Sequence, residues 1–248
     1  MKFGLILGVL LFSVSSLAED KTLHSFASGL DGTLRHLNRS EARPCPEDTI
    51  LSPRTAKASK FDNKPVTALS EEDAQRLFTD LKNQSHIPYE FAWAGCQARA
   101  HEMSRLMLLK GVTPLKAFAF VDEKSPHLRV PHPSRKGEII SWNNHVAPMI
   151  LVEKDGKQIP YVLDPSIENK AVSVEDWKKT MSQFPPAPKI QMEYGPATQL
   201  VHQTRHRIDF KDPKVQEQID SSLREYKELA TDPEKESQWF FEMNKYGE

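Results

Sequence analysis

The chain has 248 residues, 33 Lys and Arg against 34 Asp and Glu, a net charge of -1 and 38% hydrophobic residues. At roughly 100–200 residues per domain this length holds one enzymatic domain with extensions, and the balanced charge and modest apolar content argue against both a polyanion-seeking protein and a membrane bundle. The two cysteines, Cys45 and Cys96, are too few for the disulfide framework of a small secreted domain, so the fold must rest on its core, with a Cys45–Cys96 bridge left open.

Lys2 precedes an apolar run from Phe3 to Val14, followed by small residues at Ser16 and Ala18. This is the pattern of a cleavable signal peptide over residues 1–18, and the run is shorter than the ~20 residues that span a bilayer. An exported, secreted or periplasmic protein without stable membrane insertion is expected. Residues 19–65 show little periodicity and carry Arg43-Pro44-Cys45-Pro46 and Ser52-Pro53, which marks a loop-rich extension or removable pro-segment.

Ser70 is a good helix N-cap, with Asp73 three residues on and an apolar stripe at Leu77, Phe78 and Leu81. A second helix over Gln97 to Lys110 comes after Trp93-Ala94-Gly95-Cys96 and ends at Gly111, so Cys96 heads an inward face shared with Ala100, Met103 and Met107. His101, five positions on, points elsewhere. Leu115 to Val121 reads as a strand, and Asp122 to Gly137 as a loop rich in proline and basic residues.

Strands His145–Val152 and Ile159–Asp164 flank Asp155-Gly156, a type I′ hairpin signal. A turn centred there sets Asp164 opposite Ala147 and diagonal to His145 on one face, within side-chain reach. Pro148 and Pro160 warn of bulges. A short helix around Trp177 begins at Val174-Glu175-Asp176, Pro185-Pro186 interrupts regular structure beyond it, and Pro213 to Ala230 is an amphipathic helix with Val215, Ile219 and Leu223. The expected domains are 66–210 for catalysis and 211–248 for a helical tail that packs or caps.

A cysteine at a helix N-terminus gains thiolate character from the helix dipole and from a neighbouring imidazolium, and a carboxylate can fix the tautomer of that histidine. Cys96, His145 and Asp164 fit these roles for attack on a carboxamide. The backbone N–H of Cys96 is one candidate oxyanion donor; Trp93 is a spatial candidate for the second and equally reads as a packing aromatic. A lone buried cysteine is often only a small core hydrophobe, so the residue types alone leave catalysis and structure both open.

The stretches Gly95-Cys96-Gln97-Ala98-Arg99-Ala100-His101-Glu102-Met103, Trp142-Asn143-Asn144-His145-Val146-Ala147 and Val162-Leu163-Asp164-Pro165-Ser166 resemble the bacterial protein-glutaminase family in order and approximate spacing. The resemblance spans roughly residues 93 to 167. It implies an α+β, papain-like or transglutaminase-like core with a Cys-His-Asp triad at Cys96, His145 and Asp164, deamidating glutamine side chains of a protein or peptide partner without a cofactor. It also implies a cleft-blocking role for residues 19 to about 65. Two features depart from the family pattern: Gln97 stands where the family has an aromatic residue, and further cysteines are absent.

The rivals are a cysteine peptidase or transglutaminase, which share the thioacyl intermediate, and a noncatalytic exported binding domain with a structural Cys96. No metal site is expected: His127 and His132 sit in the Pro-rich loop, and His202 and His206 are four apart without further ligand motifs. The basic loop from Lys124 to Lys136 reads as solvated surface, and no partner nucleic acid is expected.

Overall fold

The computed structural model describes residues 50–205 and 207–245. The signal-peptide reading, Cys45, His206 and most of the 19–65 extension lie outside the described residues. Within them, chain order gives β1 (Lys57–Phe61), β2 (Lys64–Ser70), α1 (Glu71–Lys82), α2 (Cys96–Leu109), β3 (Leu115–Phe120), β4 (Leu128–Pro131), β5 (Ile139–Trp142), β6 (Asn144–Lys154), β7 (Lys157–Val162), β8 (Val172–Ser173), α3 (Val174–Met181), β9 (Gln191–Pro196), α4 (Pro213–Thr231) and α5 (Pro233–Lys245). The architecture is α+β, as expected.

The long strand β6 organises the sheet. It pairs antiparallel with β3 along Asn144–Met149, antiparallel with β7 along Met149–Lys154, and parallel with β2 through Leu151, Val152 and Glu153. β9 adds to β3 and β1 to β2, and β4–β5 form a separate two-stranded hairpin. Period-two alternation then sorts side chains to two faces. Leu115, Ala117, Ala119, Ala147, Met149 and Leu151 join Trp177, Met181 and the β4–β5 residues Leu128, Val130 and Ile140 in the main core. Phe118 and Val146 point to the other face and pack with Cys96 and Ala100 of α2.

The expected signals hold at most joints. Ser70 caps α1, its hydroxyl accepting the Asp73 N–H, and Leu77, Phe78 and Leu81 are buried. Burial of such side chains contributes roughly 1.5–3 kcal/mol each. Asp155 and Gly156 have φ of 50° and 72°, as a type I′ turn requires, and pair Lys154 with Lys157. The register runs unbroken through Pro148 and Pro160, so neither proline makes a bulge; each removes one donor and no more.

Two expectations are corrected. β1 and β2 form a hairpin about Asp62-Asn63, both at positive φ, so the 65/66 boundary falls inside a strand of the main sheet. The stretch 122–137 is not all loop, because Leu128 and Val130 alternate into the core as β4. In the C-terminal stretch, α4 buries Ile219, Leu223 and Leu229, and Lys227 bonds the Ser85 carbonyl at 2.9 Å.

That tail reaches the start of α2. Gly95, the N-cap of α2, has φ of 78°, and a Cβ there would lie 2.5 Å from the Tyr226 ring of α4. Tyr226 in turn stacks on Phe91 at 5.4 Å between ring centroids. Gly95 thus meets two demands at once, a left-handed backbone and a ring pressed on its α-carbon. Gly95→Ala should lower stability by about 1–2 kcal/mol from the backbone term alone, read as a reduced urea midpoint; an unchanged midpoint would mean the turn before Cys96 tolerates an ordinary residue.

Candidate active site

Cys96 is the first residue of α2, 8% exposed and free of any disulfide. Cys45, the other half of the bridge left open by the sequence, lies outside the described residues. Helix dipole and the unpaired N–H groups of the first turn surround the thiol with positive potential. The preceding loop is pinned from inside: the buried Arg99, one turn into α2, donates from Nη1 to the Phe91 and Ala94 carbonyls at 2.8 Å each.

His145, at the start of β6, is 1% exposed and its Nε2 lies 2.8 Å from Asp164 Oδ2. The Leu163 N–H bonds the Pro148 carbonyl at 2.9 Å, which carries the β6–β7 register past the strand end and sets Asp164 opposite Ala147 as the hairpin count requires. Nε2 is committed to Asp164 and Nδ1 is buried without a hydrogen-bond partner among the described residues, so the coupling of His145 to Cys96 is one of charge. The three expected residues thus come together in the order Cys96, His145, Asp164.

Asp164 is 2% exposed and accepts four donors. Oδ2 takes His145 Nε2 and Trp177 Nε1, the latter at 2.9 Å; Oδ1 takes the Ser166 N–H at 3.3 Å and the Ser166 hydroxyl. Trp142 lies flat against His145, ring centroids 4.6 Å apart and planes 12° from parallel, and its Nε1 bonds the Ala92 and Trp93 carbonyls at 3.1 Å. Trp142 therefore fixes the imidazole plane and ties it to the loop that leads into Cys96.

The electrostatics favour an ion pair. Burial pushes the Cys96 thiol up, yet the nearby His145, the Arg99 guanidinium and the Val146 N–H together bring it below its ordinary value. Burial likewise opposes a charged His145, but Asp164 and Cys96 carry it up to about 9. For Asp164 the burial penalty is outweighed by His145, Ser166 and Trp177, so the carboxylate stays ionised. Such opposed shifts in a nucleophile and its neighbouring base are what a thiolate–imidazolium pair requires.

Sequence reasoning misses the supporting residues. Trp177 reads there as part of a short helix without a partner, and Arg99 is not singled out; an arginine on the inward side of a helix that starts at a candidate nucleophile is the available signal. Gln97 is half-buried, with its Oε1 3.3 Å from Cys96 Sγ. Trp93 packs on His132 and Phe240, at 5.7 and 5.1 Å between ring centroids, and its Nε1 is buried without a hydrogen-bond partner. His101 is fully buried, stacked on Phe210 at 4.4 Å, and burial brings its pKa down to about 3, so it stays neutral and apart from the triad.

Among the described residues no helix is long and apolar enough to cross a membrane, and no group of three or more His, Cys, Asp or Glu is arranged to hold a metal ion. His132 Nδ1 instead accepts the N–H groups of Ser134 and Arg135 at 3.2 Å each, and His127 meets the Ser141 hydroxyl at 3.2 Å. The basic loop is partly tied down: Arg129 donates to the Phe184 and Pro185 carbonyls and Arg135 pairs with Glu236.

A buried thiol at a helix start and a buried histidine–carboxylate pair from neighbouring strand ends lie on an α+β core. Residues 74–181 match the family model described as Glutaminase, which bears out the family resemblance read from the sequence. Among solved structures, the protein-glutaminase from Chryseobacterium proteolyticum, determined by NMR, aligns with a TM-score of 0.54 at 17% identity, covering 64% of this chain and 88% of that one. A crystal structure of protein-glutaminase gives a TM-score of 0.51 at 18% identity, covering 64% and 90%. The crystal structure of pro-protein-glutaminase gives 0.52 at 14% identity, covering 77% of this chain and 62% of that one. At these identities the likeness establishes a shared fold. No curated protein matches by sequence comparison.

Trp177→Phe keeps most of the buried ring volume and deletes one donor to a buried carboxylate. It should cost about 1–3 kcal/mol of stability, seen as a lower urea midpoint at unchanged slope. A variant as stable as the parent would show that Asp164 does not depend on the indole N–H.

Proposed function

We propose that the chain is an exported cysteine hydrolase that deamidates glutamine side chains of proteins or peptides to glutamate, with Cys96 as nucleophile, His145 as acid and base, and Asp164 as the group that orients His145. The observation that carries this reading is the buried His145 ring, bonded to Asp164 through Nε2 with Nδ1 left without a partner among the described residues, and coupled by charge to Cys96. It lies inside a segment that matches a glutaminase family model.

The Cys96 thiolate attacks Cδ of the glutamine side chain, forming an S–C bond while the carbonyl π pair moves to oxygen. Collapse of that oxyanion expels nitrogen, which takes the Nδ1 proton of His145 and leaves as ammonia. Water, deprotonated by the now neutral His145, then cleaves the thioester, releasing glutamate and regenerating the thiol pair. His145 must be charged for the first half and neutral for the second, and the Asp164 carboxylate supports both by holding the ring in one orientation. Proton transfer of this kind contributes roughly 10²–10⁴ in rate. Export rests on the residue pattern of the first 18 positions, and the peptidase and transglutaminase readings differ only in leaving group or acceptor.

Ammonia release from casein, with the intact mass of the casein, tests the reading. The expected result is a gain of about one dalton per ammonia, abolished in Cys96→Ala; peptide cleavage or crosslinking would replace deamidation with a rival reaction, and no change would favour a binding domain. The pH profile of kcat/KM should rise as the Cys96 thiol ionises and fall near pH 9, where His145 loses its proton. Activity that stays level well above that pH would remove His145 as the acid.

A further inference from the structure

The geometry points to the Gln97 carboxamide as the second hydrogen-bond donor of the site, turned toward Cys96 Sγ and positioned to hold the oxyanion of the reacting amide. This rests on the function proposed above and adds to it a residue that the family pattern, aromatic at this place, does not supply.

The thiol is enclosed on its inner side by Ala100, Phe118 and Val146, all buried. Gln97 is half-buried and its carboxamide reaches within 3.3 Å of Sγ, so it stands on the side from which a substrate has to arrive. A neutral thiol donates its proton to Oε1 in this contact. A thiolate has no proton to give, and an amide oxygen facing it at that distance is repelled. Rotation of the carboxamide by half a turn exchanges oxygen for nitrogen at nearly constant shape and places Nε2–H at the sulfur. When the S–C bond forms, the negative charge passes from a diffuse sulfur to a compact oxygen bonded to the same carbon, and an N–H aimed there binds more tightly than it bound the thiolate. The Cys96 N–H at the helix start supplies the other donor.

The groups that bear on the Cys96 charge come from every packed element: His145 and the Val146 N–H from β6, Arg99 from α2, Lys116 from β3 and Tyr226 from α4. Gln97 is uncharged and outside that set, and its carboxamide contacts the sulfur, so its replacement leaves all of those charges in place.

Gln97→Met keeps the length of the side chain at a half-exposed helix position and removes the amide; Gln97→Glu keeps the shape and replaces the donor with an anion. In enzyme whose helical circular dichroism matches the parent, both should lose tenfold or more in kcat for ammonia release from casein, on the order of a hundredfold for a full oxyanion donor, with KM changed less than threefold. A smaller loss in kcat overturns the assignment. Iodoacetamide alkylation of Cys96 against pH provides an arm that needs no turnover: the midpoint should move upward in Gln97→Met and further in Gln97→Glu. If the parent releases no ammonia from casein, the deamidase reading fails by itself, and an unmoved alkylation midpoint then overturns the Gln97 contact separately.

Discussion

Asp164 is a carboxylate almost shut off from water, and the site is arranged around keeping it charged there. An isolated buried anion costs many kcal/mol and would take up a proton instead. Here four donors, one of them the imidazole of His145, prevent that: His145 and Trp177 on one oxygen, the Ser166 N–H and hydroxyl on the other. The four donors arrive from three pieces of local structure. His145 comes from the head of β6, Trp177 from α3, and Ser166 from the turn after β7. The carboxylate is thus a junction where three elements meet, and its charge is what makes a charged His145 affordable in a dry setting.

The same charge is passed on to Cys96. Asp164 pushes His145 toward holding a proton that burial alone would deny it, and His145 pushes the thiol toward losing one that burial alone would make it keep. The helix start contributes by direction as well as by dipole, since Gly95 turns the chain through a left-handed conformation and Arg99 ties the preceding carbonyls to its own helix. The C-terminal helices complete this arrangement. Tyr226 rests on Gly95, Phe240 on Trp93 and Trp239 on Phe91, at 5.1 and 5.3 Å between ring centroids for the latter two. A segment that reads in sequence as a charged amphipathic tail therefore bears directly on the loop that presents the thiol.

Much of this was legible because it depends on local rules. The Asp155-Gly156 turn and strict period-two alternation suffice to set Asp164 beside His145, and Gly95-Cys96 before an apolar helical stripe suffices to place the thiol at a helix start. What escaped the sequence depends on contacts between distant segments. Trp177 and Asp164 are thirteen residues apart with a turn and a short strand between them, and no periodicity links an indole N–H to a carboxylate. β4 was hidden because Leu128 and Val130 are two apolar residues among prolines and charges, too few to outweigh turn-forming neighbours. β1 was hidden for the reverse reason: Lys57-Ala58-Ser59-Lys60-Phe61 is polar because it is an edge strand, and only the Asp62-Asn63 turn marks it.

The central claim is that Cys96 forms a covalent bond with the side-chain carbonyl of a protein-bound glutamine. Acid quenching during turnover of a glutamine-containing peptide, with subsequent peptide mapping of the enzyme, tests it most directly. The account predicts an adduct on the Cys96 peptide equal to the substrate less one ammonia, lost on treatment with hydroxylamine and absent in Cys96→Ala. An adduct on another residue, or an active enzyme that carries none while turnover is limited by thioester hydrolysis, would contradict it.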